Sequence, residues 1–304
     1  MKYLIISTFL IGSLIVKHPS SNLDFNESNH SKEYTELSES IRVMTFNIRF
    51  DNPNDGPNAW PHRKDFVAST IRFHQTDIVG TQEGMHHQLT ELENLLEKFE
   101  WVGVGRDDGD EKGEFSAIFY RSDRFDLLEK GTFWHSTTPD VPGSMGWDSA
   151  ITRVTTWVRL HDKLNDRSFI TFNTHYDHIG EVARKESSNL ILQKIYDLSN
   201  GDPVLFMGDL NTTEQQEPYK IITDPQRGPV ELELFDGFYH SVHGHHGPTS
   251  TWNGFERIFP DRRIDYIFVD SKFRVVQHGI LADSRDGKFP SDHLPVVADL
   301  EFKD

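Results

Sequence analysis

Residues 201–215, "GDPVLFMGDLNTTEQ", decide how this chain is read. Val204-Leu205-Phe206-Met207 is a short, strand-prone apolar run, read as a strand buried in a sheet. Gly208 lets the backbone leave the sheet edge, so Asp209 and Asn211 project the same way into a cleft. A buried strand needs neither a carboxylate nor an amide at its exit, and other strands of the chain end in the same manner.

Upstream, "IRVMTFNIRF" reads as a strand, "RKDFVASTIRFH" as an amphipathic helix, "DIVGTQEG" as a strand with its exit, and "HHQLTELENLLEKF" as a second helix. Strands "FSAIFYR", "ITRVTTWVRL" and "SFITFNTHYD" follow closely, and helix "ARKESSNLILQKIYDLS" leads into the opening strand. "RIDYIFVD", "RVVQHGIL" and "LPVVADLEF" close the chain. Consecutive strands without intervening helices predict substantial antiparallel pairing in an α/β fold of two packed sheets with helices outside.

The chain has 304 residues, with 31 basic against 48 acidic side chains, a formal net charge of −17 and no cysteine. That length can bury one large core. The charge works against a nonspecific hold on a polyanion, and the missing thiols exclude disulfides, thiolate zinc sites and cysteine nucleophiles. Residues 1–22, with Lys2 ahead of an apolar run from Tyr3 to Val16, read as a signal peptide or N-terminal anchor, which implies a secreted or periplasmic protein or a membrane-tethered one. Residues 23–40, rich in Ser, Asn and Glu, read as a disordered linker, and 41–304 as the folded domain.

The strand ends share a chemistry. Asn47, Glu83, His175, Asp209, Asn211, Asp265 and the pair Asp292-His293 each sit at or beside one. Singly, such groups form turns or caps. Together they supply carboxylates, amides and imidazoles without thiolates, which suits Mg²⁺ or Mn²⁺ holding a phosphate while an Asp-x-Asn pair activates and orients water. Hydrolysis of a phosphate ester is the chemistry this set supports.

The ordered series "TFNIRF", "TQEG", "TRV", "NTHYDH", "GDLN", "RIDYIF" and "SDHLPV" resembles the endonuclease/exonuclease/phosphatase superfamily, from about Ile41 to Phe302. The resemblance implies a four-layer α/β sandwich, two central mixed, mainly antiparallel sheets packed face to face with helices outside, the site lying where the sheets open at one edge. It implies metal roles for Glu83, Asn47 and Asp292. It makes Asp209 the residue that activates the water and Asn211 the one that positions it. His293 would contact the scissile phosphate, oriented by Asp265, and His175 would stabilise transition-state charge. Arg153 matches a family arginine that contacts phosphate or forms a structural ion pair. Two departures stand out: Arg49 occupies a place that is acidic in apurinic endonucleases, and their catalytic tyrosine has no counterpart, His175 filling that niche.

Loops carrying Trp60, His62, Arg63 and Lys64, then Trp147 and Asp148, then Trp252, Phe255, Arg262 and Arg263 are candidates to border the cleft, with Trp252 as a substrate contact. Asp177 and His178 follow His175, and Asp177 shares its strand face. The expectation is a Mg²⁺- or Mn²⁺-dependent phosphomonoesterase or phosphodiesterase. Its substrate would be a small-molecule, lipid head group or nucleic acid phosphate ester, and the enzyme a monomer without an obligate protein partner. The alternative is a deoxyribonuclease I-like endonuclease cutting DNA or RNA. A noncatalytic module is disfavoured, because each catalytic position holds a competent residue.

Overall fold

A computed structural model describes residues 39–303. The expected leader and nearly all of the linker lie outside the described residues. Glu39 and Ser40, assigned to the linker from sequence, belong to the folded body: their carbonyls accept hydrogen bonds from Arg124.

β1 (Ile41–Asn47) passes through α1 (Trp60–Phe73) to its parallel neighbour β2 (Ile78–Gly84). α2 (His86–Leu95) and β3 (Phe99–Val102) lead to β4 (Phe115–Arg121), antiparallel to β2. β5 (Phe125–Trp134), β6 (Val154–Asp162) and β7 (Arg167–His175) form an antiparallel meander. α3 (Glu181–Ser199) then crosses to β8 (Val204–Asp209), parallel to β7. After α4 (Glu217–Thr223) come the short β9 (Phe235–Asp236), α5 (Gly237–His240) and β10 (His245–His246). β11 (Asp265–Val269), β12 (Phe273–Ile280) and β13 (Val296–Phe302) complete the chain. Among the described residues the strands form a 7-stranded sheet, β10-β12-β13-β1-β2-β4-β3, and a 6-stranded sheet, β5-β6-β7-β8-β11-β9.

Each sheet therefore contains one helix-crossed parallel pair, β1/β2 or β7/β8, within mainly antiparallel neighbours. A parallel pair sends both carboxyl ends to one edge. Those edges carry Asn47 and Glu83 from one sheet, His175 and Asp209 from the other.

Period-2 alternation divides the strand side chains among three apolar clusters, and these are the three interfaces of a four-layer sandwich. Val43, Ile78 and Ile118 meet Phe169, Leu205 and Met207 between the sheets. Met44, Phe46 and Val79 turn outward onto Val67 and Ile71 of α1 and Leu89 of α2. Phe172, Phe206 and Phe268 pack under Ile191 and Ile195 of α3 and Tyr219 of α4. Burying a side chain of Phe206's size contributes roughly 2–3 kcal/mol.

Two polar features punctuate this core. Asn173 of β7 donates to the carbonyls of Thr81 and Ala117 and accepts from Gln82 at 2.6 Å, fastening one sheet to the other behind the strand ends. A Cβ on Gly80 would come within 2.7 Å of the Asn173 amide oxygen, so glycine is needed for that approach. At the opposite end, beside the start of β1, buried Arg124 makes a bidentate pair with Asp162 at 3.1 and 2.9 Å and reaches Asp77 at 2.9 Å.

Candidate active site

Three rungs bring the polar strand ends together. β1 aligns Asn47 with Gln82, one residue before Glu83; β7 aligns His175 with Asp209; β11 aligns Asp265 with the same Asp209. The three-residue rung His175–Asp209–Asp265 is thus a direct product of strand register. Glu83 lies where the pairing of β2 with β4 slips, between Thr81 and Gly84, and has φ 64°. Arg49 and Asn211 also have positive φ, 57° and 45°. Non-glycine residues reach this region at a cost of about 1–2 kcal/mol each, and here they aim side chains into the cleft.

Asn47, fully buried, donates from its amide nitrogen to Glu83 at 2.9 Å and Asp209 at 3.0 Å, while its oxygen accepts from the Arg49 amide. The Asn47 amide thus links two carboxylates across the sheets, beside the Glu83 carboxylate with which it was expected to share a metal role. Arg49 puts its guanidinium 3.7 Å from Glu83 and 3.9 Å from Asp292, a cation where apurinic endonucleases have an acid. Burial opposes ionisation of Glu83, but His293, Asn47 and Arg49 together hold its carboxyl below the usual range. Burial and the neighbouring Glu83 push Asp292 up.

On the other side, His293 Nδ1 lies 2.9 Å from Asp265 and 3.8 Å from Asp209. Burial disfavours the imidazolium, yet the Asp265 and Asp209 charges raise its pKa well above the ordinary value. Asp209 is pushed up to about 7 by burial and by the Asp265 charge. His175 Nε2 sits between the Asn211 amide at 3.0 Å and Asp209 at 3.3 Å; burial and the positive Arg153 hold this imidazole neutral. The Asn211 backbone N–H donates to the Asp209 carboxylate at 2.9 Å, an Asx turn at the strand exit, while the Asn211 side chain meets His175.

Arg153 is buried, with Nε 3.9 Å from Asp177 and Nη2 3.2 Å from His178 Nδ1, while its Nε and Nη1 make no hydrogen bond among the described residues. Asp177 is not a pocket group. Its carboxylate accepts from the amides of Ala150, Ile151, Ile179 and Gly180, tying the loop before β6 to the entry of α3.

Several loop residues expected at the cleft serve the framework instead. Arg63 donates to the carbonyls of Ile48, Arg49, Asn58 and Pro290, binding the segment after Asn47 to the one before Asp292. Trp60 is buried and, like Lys64, engages Glu91. Asp148 accepts from the first-turn amides of α3, and Arg263 is neutralised by Glu214 and Asp236. Trp252 pairs with His293 through its backbone, while its ring packs at a tilt against Phe259 with Arg262 over it. Ser291, which sequence reasoning passed over, donates from its hydroxyl to the Asn47 carbonyl and places the Asp292-His293 corner. Gln82 and Asn173 were missed as well; the available signal was an amide within an otherwise apolar strand.

Among the described residues, the group of three His or acidic side chains close enough to share a cation is Glu83, Asp209 and His293, with ligand atoms within 4.8 Å of one another. The His-rich segment 240–247 holds a different arrangement, an imidazole pair between His245 and His278 at 3.0 Å. Carboxylate oxygens without thiolates suit a hard divalent cation.

Comparison with known proteins agrees with this geometry. The model of the Endonuclease/Exonuclease/phosphatase family matches residues 44–293. A solved endonuclease/exonuclease/phosphatase from Bacteroides vulgatus is 39% identical, with 87% of this chain and 99% of that chain covered and a TM-score of 0.82. A mannosyl-6-phosphatase from Bacteroides thetaiotaomicron is 37% identical, with 86% and 100% covered and a TM-score of 0.80. A probable RNA exonuclease of Saccharomyces cerevisiae is 27% identical over 232 residues, 66% of this chain and 45% of that protein. The chain spans less than half the length of the curated relatives it matches.

Proposed function

The chain belongs to the endonuclease/exonuclease/phosphatase family, and from that premise we propose that it is a divalent-cation-dependent phosphomonoesterase acting on a small phosphate ester of the sugar phosphate kind. The observation that carries the reading is the convergence of Glu83, Asp209 and His293 within 4.8 Å where the two sheets open. The sugar phosphate preference is supported by the 37% identity to a mannosyl-6-phosphatase aligned over its whole length, and by a net charge of −17 that disfavours a polyanion.

Glu83, with Asp292 beside it, would hold the cation, which supplies Lewis-acid polarisation of the phosphoryl group. With Arg49 already lying between those two carboxylates, we propose a single cation. Asp209 takes the proton of the attacking water, and its raised pKa matches that task near neutral pH. Asn211 aligns the water. Cationic His293, its Nδ1 fixed by Asp265, presents Nε2–H to a non-bridging oxygen as charge develops there. The two unpartnered donors of Arg153 are the groups a second non-bridging oxygen would satisfy. The apolar run from Tyr3 to Val16 supports the further proposal of export, which sequencing the amino terminus of the mature protein would test.

A panel of hexose 6-phosphate, p-nitrophenyl phosphate, bis-p-nitrophenyl phosphate, plasmid DNA and RNA, assayed with Mg²⁺ and then EDTA, tests the proposal. Phosphate release from the monoesters is expected, lost in EDTA and restored by excess Mg²⁺. Plasmid nicking faster than phosphate release would favour the nuclease reading. Glu83→Gln should raise the Mg²⁺ concentration giving half activity by about tenfold or more, the loss expected when a charged ligand becomes neutral. An unmoved metal titration would remove Glu83 from the ligand set.

A further inference from the structure

We propose that a cavity next to the active site receives a second oxyanion of the substrate, so that the preferred esters carry two anionic groups; the proposal rests on the phosphomonoesterase reading above. The cavity measures about 370 Å³, and its lining includes His62, Arg63, Phe66, Arg285, Lys288 and Phe289. That volume falls at the lower end of small-ligand pockets, enough for a sugar-sized body. Arg285 and Lys288 face one carboxylate in the lining, Asp286, within a chain of net charge −17, while the guanidinium of Arg63 is already spent on backbone carbonyls.

The hairpin that carries two of these cations is built against their mutual repulsion. Arg285 and Lys288 exchange backbone hydrogen bonds of 2.9 and 3.0 Å around Asp286 and Gly287, whose φ values of 53° and 76° are those of a tight two-residue turn. Residues paired in this way show their side chains on one face, and like charges directly opposite cost stability. Among the described residues neither Arg285 nor Lys288 makes an ion pair; Arg285 is instead laid over the Phe66 ring at 4.5 Å. An anion between them would convert that cost into binding.

The cavity and the reaction centre share a wall. Arg63 lines the cavity and donates to the carbonyls of Ile48, Arg49 and Pro290. The hairpin itself runs through Pro290 directly into Asp292 and His293. In the proposed complex one phosphate of a compact molecule lies at His293 and a second phosphate or a carboxylate lies between Arg285 and Lys288, whose hairpin leads into the Asp292-His293 corner. Two isolated cations beside the cleft suit such a molecule better than a nucleic acid, which needs a longer basic track.

The test compares the Mg²⁺-loaded wild type with Arg285→Ser/Lys288→Ser, and with the milder Arg285→Gln/Lys288→Gln in case the first folds poorly. The wild type should show a KM for hexose 1,6-bisphosphate about tenfold below that for hexose 6-phosphate. Both double variants should lose that advantage, with kcat/KM on p-nitrophenyl phosphate unchanged. Equilibrium binding of the bisphosphate to Asp209→Asn protein should weaken about tenfold with the same substitutions. Equal KM values in the wild type, equal losses on all substrates, or losses confined to a short oligonucleotide would each overturn the proposal. Absence of p-nitrophenyl phosphate hydrolysis by the wild type would instead overturn the phosphomonoesterase reading.

Discussion

Asp209→Asn should lower kcat on p-nitrophenyl phosphate about 10³-fold, the middle of the range for loss of a general base. The fold should survive. The substitution is isosteric, and its oxygen can still accept from the Asn47 amide that reaches Asp209 at 3.0 Å in the native chain. It should also change stability in a pH-dependent way, measured without added cation. Burial and Asp265 raise the folded-state pKa of Asp209 to about 7, above its value in an unfolded chain. The native protein therefore loses stability from this group as pH rises from about 4 through 7. Asp209→Asn removes that loss, so its melting temperature should exceed that of the wild type at pH 8 and approach it at pH 4. A variant that kept its turnover would exclude Asp209 as the base. One that melted lower at pH 8 would contradict the electrostatic account of the rung.

The second large effect is on folding alone. Arg124→Met should destabilise the protein by about 3–5 kcal/mol, because it leaves buried Asp162 without a cationic partner and Asp77 with Arg121 alone. In a domain of this size that lowers the melting temperature by about 10 °C. Asp162 and Asp77 would each lose a partner at 2.9 Å, and the carbonyls of Glu39 and Ser40 would each lose one donor. Burial already pushes the Asp77 carboxyl up, with Arg124 the largest influence holding it down. The cluster lies at the end of β1 away from Asn47, so kcat at a permissive temperature should not change. Adding Asp162→Asn should recover part of the loss. A shift below about 1 kcal/mol would show that water reaches these carboxylates.

The apolar runs of β1, β8 and β11 were enough to place those strands, and the polar residues at their ends were legible because buried strands rarely carry them. β5 was missed for the converse reason. Its "LLEKG" center carries the charges of a sheet-edge strand facing water, where hydrophobic periodicity fades. Short β9 and β10 have two residues each and leave no periodic trace. The loop cations were misjudged because sequence shows charge but not partner. Arg63 and Arg263 look alike in the chain to Arg285, yet the first is consumed by carbonyls and the second by carboxylates, while the third lies over the Phe66 ring without an ion pair among the described residues. Arg153 could be read either way from sequence, and the fold gives it both a carboxylate neighbour and two idle donors.

The positive φ angles of Arg49, Glu83 and Asn211 bear on any attempt to toughen this enzyme. Glycine at each would relax the backbone by up to about 1 kcal/mol while deleting the side chain that the contortion delivers. A directed-evolution campaign scored only by survival after heating would thus be drawn to these sites first, enriching robust but inert descendants. Thermotolerance and turnover need to be selected together.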